Sequence, residues 1–180
     1  MKEFIEEEVM DTVVLEPVVQ EKRILYLDYL LLADESEEVV KEYIYDGEMF
    51  TICQDGICIG VALFISLANQ IVELKNIAIV EEYRGRGVGK QVVIKAYRLY
   101  QSMGLQKMIV GTANSSIANI VFYQKVGFRM VEIKKDFFKK YSTPIFENGI
   151  RALDMVMFEK ELFCLEMEDG AFPERNAFET

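Results

Sequence analysis

Residues 83–92 read YRGRGVGKQV. Gly85, Gly87 and Gly89 alternate there with Arg86 and Val88, and Arg84 and Lys90 flank them. The stretch before, IVELKNIAIV at 71–80, is largely apolar and suits a strand covered on both faces. After the glycines the period changes. Val92, Ala96, Leu99 and Met103 recur at helical spacing, while Lys90, Lys95, Arg98 and Gln101 sit mostly off that stripe. Gly104 is placed to stop the helix, and KMIVGTA at 107–113 predicts a second buried strand. Residues 71–113 therefore predict one βαβ unit with the glycine loop at its first turn.

A glycine-rich turn that feeds a helix gathers unpaired backbone N–H groups around one point. The helix dipole adds partial positive charge, and glycines let a ligand approach the main chain. With Arg84, Arg86 and Lys90 beside it, the loop reads as a phosphate or pyrophosphate cradle. The plainer alternative is an ordinary βα turn with solvated arginines. Two nucleotide motifs fail by position. A P-loop needs glycine where Arg84 stands and Ser or Thr where Gln91 stands, and a dinucleotide fingerprint needs glycine where Lys90 stands.

A third pattern fits: Gln or Arg, two residues, Gly, one residue, then Gly or Ala. Arg84-Gly85-Arg86-Gly87-Val88-Gly89 matches it and resembles the acyl-CoA pyrophosphate loop of the GNAT superfamily of N-acetyltransferases. Downstream, NSSIANIVFYQKVGF at 114–128 resembles the second GNAT signature through Asn114, Ala118, Phe122, Tyr123, Gly127 and Phe128. The two signatures come in the right order, separated by a helix and a strand. The resemblance covers about residues 20–162, and PIFENGI at 144–150 is further similar to a group of small bacterial GNAT proteins.

The resemblance implies an α/β fold: a mixed, largely antiparallel sheet with helices on both faces and a parallel βαβ unit where the fourth and fifth strands splay apart. Acetyl-CoA would bind in that opening as co-substrate, with no metal. Ile77, Ala78 and Ile79 would line its pantetheine arm, and an N–H near Ile77 would face the thioester oxygen. Arg84, Gly85, Arg86, Gly87, Val88, Gly89 and Lys90 would hold the pyrophosphate. Tyr123 would protonate the departing thiolate; its plainer reading is a packed aromatic. Asn114 and Asn119 would bond the cofactor arm, or else cap and face solvent.

An acceptor amine must lose a proton. Glu73, four residues before Ile77, shares its face if no bulge intervenes, and matches a glutamate base of some family members. Glu81, Glu82 and Glu147 stand behind it, and pairing with Lys75 is its plainer role. The implied activity is acetyl transfer to a primary amine in a ternary complex. A non-catalytic acyl-CoA-binding module is the alternative, and an interaction protein with a plain βα turn a third.

Composition narrows the rest. In 180 residues, 51% hydrophobic, one domain can bury a real core. We expect an acidic arm at 1–11, the domain at 12–163 and a tail at 164–180. A net charge of −10 argues against nucleic acid and suits a small-molecule or peptide amine. With no histidine, triads and the usual zinc sites drop out. No apolar run predicts a membrane span, and without a signal-peptide pattern the expected location is the cytoplasm. A homodimer stays open. Asp55-Gly56 predicts a hairpin that sets Cys53 opposite Cys58, which there are either two buried thiols or a cross-strand disulfide. TVVLEPVV predicts an extended stretch that Pro17 confines to an edge or a strand end, Arg23–Ala33 and about 36–46 two helices, and 48–54, 57–67, 128–137 and 151–160 further strands. Ser115 or Ser116 is expected to cap the helix that runs to Gly127.

Overall fold

The computed structural model describes residues 13–162. The arm at 1–11, the tail at 164–180 and Cys164 lie outside the described residues. Strand β1 (Val13–Val18) pairs only with β2 (Glu48–Gln54), as an edge strand carrying Pro17 must, because proline has no N–H for a second neighbour. Asp55 and Gly56, both at positive φ, turn β2 tightly into β3 (Ile57–Leu67). Cys53 and Cys58 face each other in that register and are free thiols. Then follow β4 (Ile71–Ile79), helix α3 (Val88–Ser102), β5 (Lys107–Ala113), α4 (Ile117–Lys125) and β6 (Arg129–Lys134). A short ribbon of β7 (Phe146–Glu147) and β8 (Ile150–Arg151) precedes β9 (Met155–Glu161). The seven-stranded sheet runs β1-β2-β3-β4-β5-β9-β6, and only β4 and β5 are parallel.

Helices α1 (Leu27–Leu30) and α2 (Glu37–Tyr43) cover one face, where Leu30, Val40 and Ile44 pack on Met49, Leu63 and Ala78. Helices α3 and α4 cover the other, where Val92, Ala96, Tyr100 and Tyr123 pack with Phe64, Met108 and Phe158. Ser36 caps α2, its Oγ accepting from the Val39 N–H at 3.3 Å.

Three local expectations change. Residues 20–26 wind as a 3₁₀ helix rather than the start of an α-helix, because Arg23 turns inward to three carbonyls while Leu25 stays exposed. On α3 the buried stripe ends at Tyr100, whose hydroxyl reaches Glu48 at 3.0 Å; Met103 is exposed and Leu99 only partly buried. Between the strands expected to end at 137 and to start at 151, the chain forms the β7–β8 ribbon, turned by Asn148 and Gly149 at positive φ.

Candidate active site

Strands β4 and β5 pair only from Ile71–Leu74 to Lys107–Val110. Beyond Leu74 the β5 side of β4 has no strand partner, so the sheet opens into a gap. The Val80 N–H donates to the Ile59 carbonyl of β3 at 3.0 Å. By strand alternation, Ala78 also turns its main chain to β3, while Ile77 and Ile79 turn theirs to the gap. Gly60 agrees, since a Cβ there would sit 2.1 Å from the Ala78 oxygen. Of the three residues expected along the gap, Ala78 is therefore the one not offered to it, and its side chain packs toward α1 and α2.

The glycine loop sits at the mouth of this gap. Gly87, at φ +80°, is the N-cap of α3, and Gly85 is also at positive φ. A Cβ at either would meet no atom within 4 Å, so the space above them is open to a ligand. The first N–H groups of α3, from Val88 to Lys90, have no carbonyl within the helix to bond. Arg86 lies over the Tyr83 ring, 5.6 Å from its centre. Arg84 turns back instead, its Nε–H donating to the Ile79 carbonyl at 2.7 Å. Gly89 has a packing role as well: a Cβ there would press on the Phe122 ring at 3.2 Å. That contact seats α4 against the start of α3.

Tyr123 of α4 is 5% exposed, among the rings of Phe122, Phe128 and Phe158 at 5.2, 5.8 and 5.6 Å. Burial pushes its hydroxyl pKa well above the ordinary tyrosine value. The group therefore keeps its proton at neutral pH. Asn119, four residues before it, is exposed and reaches the Thr112 hydroxyl at 3.4 Å. Asn114 neither caps α4 nor faces the gap with a free amide. Its Oδ1 accepts from the Leu153 and Asp154 N–H groups at 2.8 and 3.0 Å, and its Nδ2 donates to the Arg151 carbonyl. It pins the loop before β9 to the end of β5.

A bulge does intervene between Glu73 and Ile77. Leu63 pairs with Asn76 and Phe64 with Leu74, which leaves Lys75 as the extra residue. Val72 and Leu74 consequently bury toward α3, whereas Asn76 and Ala78 bury toward α1 and α2. Glu73 alternates with Leu74 and meets the Lys75 ammonium at 3.5 Å, which itself lies over the Tyr43 ring. Its side chain thus belongs to the α1–α2 face, opposite Ile77. Glu81 and Glu82 lie exposed in a 3₁₀ turn (Glu81–Tyr83). Glu147 accepts from the hydroxyls of Ser115 and Ser116 at the start of α4, so Ser116, the N-cap residue, makes no side-chain capping bond.

Sequence reasoning missed Asn76. It is 6% exposed, and its Nδ2 donates to the Leu30 carbonyl at 3.1 Å and the Tyr43 hydroxyl at 3.0 Å. It ties α1 and α2 to β4 at the bulge. A lone amide inside an apolar strand was the available signal.

Comparison with known proteins identifies the family. The model of the acetyltransferase (GNAT) family matches residues 18–128. An uncharacterised N-acetyltransferase of Bacillus subtilis, YvbK, is 41% identical over 136 residues, 75% of this chain and 88% of that one. A GNAT family acetyltransferase from Elizabethkingia anophelis, solved with acetyl-CoA bound, is 35% identical with a TM-score of 0.78, covering 84% of this chain and 99% of that one. An IAA acetyltransferase from Bacillus cereus is 37% identical with a TM-score of 0.77, over 83% and 99% of the two chains.

Proposed function

The chain belongs to the GNAT family of acetyltransferases, and we propose that it moves an acetyl group from acetyl-CoA to a primary amine by direct transfer, with both substrates bound together. The observation that carries this reading is the gap beyond Leu74, where one edge of β4 is left unpaired. The main-chain groups of Ile77 and the Ile79 N–H on that edge suit an arm lying along it like an added strand, the Ile79 carbonyl being taken by Arg84. The open glycine loop and the α3 N-terminus, with Arg86 and Lys90, suit the pyrophosphate. Acetyl-CoA, when bound, supplies the acetyl group activated as a thioester.

The chain's own groups then divide the work. The Ile77 N–H offers a donor where negative charge grows on the carbonyl oxygen. Tyr123, kept protonated by burial, holds a proton for the leaving sulfur on the α3–α4 side. Glu73, on the α1–α2 side, takes the proton of the incoming ammonium. In this reading acid and base stand on opposite faces of one sheet, with the acetyl group passed between amine and thiolate at the gap. Asn119 is a second contact for the arm. A cytoplasmic location, where acetyl-CoA is made and used, is part of the same reading. Incubation with acetyl-CoA and a panel of primary amines, followed for amine-dependent release of the CoA thiol, tests it.

A further inference from the structure

Asp55 and Gly56 both stand at positive φ, which makes a two-residue turn closed by a bond from the Ile57 N–H to the Gln54 carbonyl. The next pair out in the register is Cys53 with Cys58. Hydrogen-bonded and non-bonded pairs alternate along an antiparallel ladder, so the cysteines form a non-bonded pair, the kind whose side chains come closest. Cα atoms in such a pair stand about 4.5 Å apart, within the ~4.4–6.8 Å that a disulfide spans. Beyond the pair the register slips, Ile52 meeting Gly60. Ile59 is thus an inserted residue, a place for the strand to yield beside Cys58.

Both sulfurs lie on the α1–α2 face, because Cys53 alternates with Thr51 and with Met49, which packs there. Tyr29 of α1 donates from its hydroxyl to the Cys58 carbonyl at 3.3 Å. Partial burial raises the pKa of that hydroxyl, and Cys58 and Cys53 both add to the rise, so it stands near both sulfurs. The pair is unequal. Cys53 is 9% exposed, its Sγ 3.5 Å from the Thr51 Oγ1 and 3.8 Å from the Glu16 Oε2. Burial raises its pKa and keeps it a thiol. Cys58 is only partly buried, close to the hairpin tip. Strands β2 and β3 lie on the other side of β4 from the gap.

We propose that Cys53 and Cys58 form a redox modification site, which reacts with a small-molecule disulfide and closes into a cross-strand bridge. Cys58, the more accessible thiol, attacks as its thiolate. With glutathione disulfide, the sulfur–sulfur bond of the reagent breaks, a mixed disulfide forms on Cys58 and one glutathione leaves. Cys53 then gives its proton to solvent and attacks the Cys58 sulfur, expelling the second glutathione. Two protein thiols are oxidised while the reagent is reduced to two thiols. In a reducing compartment such a pair stays open and closes under oxidative load. The inference does not depend on acetyl transfer.

Incubation of the full chain with glutathione disulfide, followed by blocking of the remaining thiols and peptide mass spectrometry, tests it. Cleavage before Asp55 puts the two cysteines on separate peptides. These should stay joined, lighter than their sum by two hydrogen atoms, and part when dithiothreitol is added. Cys53→Ser should stop at a glutathione adduct on Cys58, whereas Cys58→Ser, its fold checked by circular dichroism, should leave Cys53 a thiol. A lasting glutathione adduct on Cys58 of the unsubstituted chain, a bridge from either cysteine to Cys164, or no reaction would each overturn the proposal. So would a glutathione adduct on Cys53 in a folded Cys58→Ser protein.

Discussion

The Nε–H of Arg84 donates to the carbonyl of Ile79 at 2.7 Å, joining the first residue of the glycine signature to the last residue of β4. The Nε–H of the arginine therefore helps to shape the turn. Arg84→Ala should weaken CoA binding about tenfold through displacement of the loop, the worth of one charge-assisted hydrogen bond. Arg84→Gln, with an amide that can still donate, should recover most of the loss. Calorimetry with CoA decides, and full affinity in Arg84→Ala would exclude a positioning role.

Tyr123→Phe removes the hydroxyl and keeps the ring that packs on Phe128 and Phe158. It should lower kcat by ~10–10³-fold while the KM for acetyl-CoA barely moves. Because burial raises the pKa of this acid, no alkaline limb from its ionisation should fall below about pH 10 in the wild-type profile. A normal kcat in the variant would remove Tyr123 from the proton inventory.

Glu73→Gln keeps the shape of the carboxylate but cannot take a proton. It should lower kcat/KM by ~10²-fold and remove or shift the acidic limb of its pH profile. Amines of different pKa must be compared, since deprotonation of the substrate produces the same limb. A retained limb with near-normal rates would move the base elsewhere.

Alkaline stability follows from the raised tyrosines, four of which shift most. Burial, as the largest cause, raises the pKa values of Tyr43, Tyr100, Tyr123 and Tyr141 in the folded chain. The unfolded chain ionises at the ordinary value of about 10, so above that pH it binds fewer protons than the folded one. The contribution of these groups is whole below pH about 10 and is lost as pH rises further. Urea denaturation across this range should show a plateau and then a fall, with a shallower fall in Tyr123→Phe. Constant stability through pH ~11 would contradict the burial of these hydroxyls.

The βαβ unit is legible because Gly85 to Gly89 sit where the hydrophobic period changes from strand to helix. The second signature is legible because Tyr123, Gly127 and Phe128 keep fixed spacing. The bulge at Lys75 is not. Burial alternates without a break from Ile71 to Ile79, so one inserted residue leaves no mark on the pattern while it moves Glu73 to the opposite face from Ile77. Asn148-Gly149 is a readable hairpin turn, overlooked because its strands are only two residues long. The roles of Asn114 and Glu147 depend on partners 30 to 40 positions away, such as Ser116 and Leu153, which no local pattern encodes.

Initial velocities over a grid of acetyl-CoA and amine concentrations test the central claim most directly. Direct transfer with both substrates bound predicts reciprocal plots that intersect, with CoA released in step with the acetylated amine. Parallel lines would mean that the acetyl group passes first to the protein. CoA that binds tightly but is never released in response to any amine would make the chain a binding module and contradict the account.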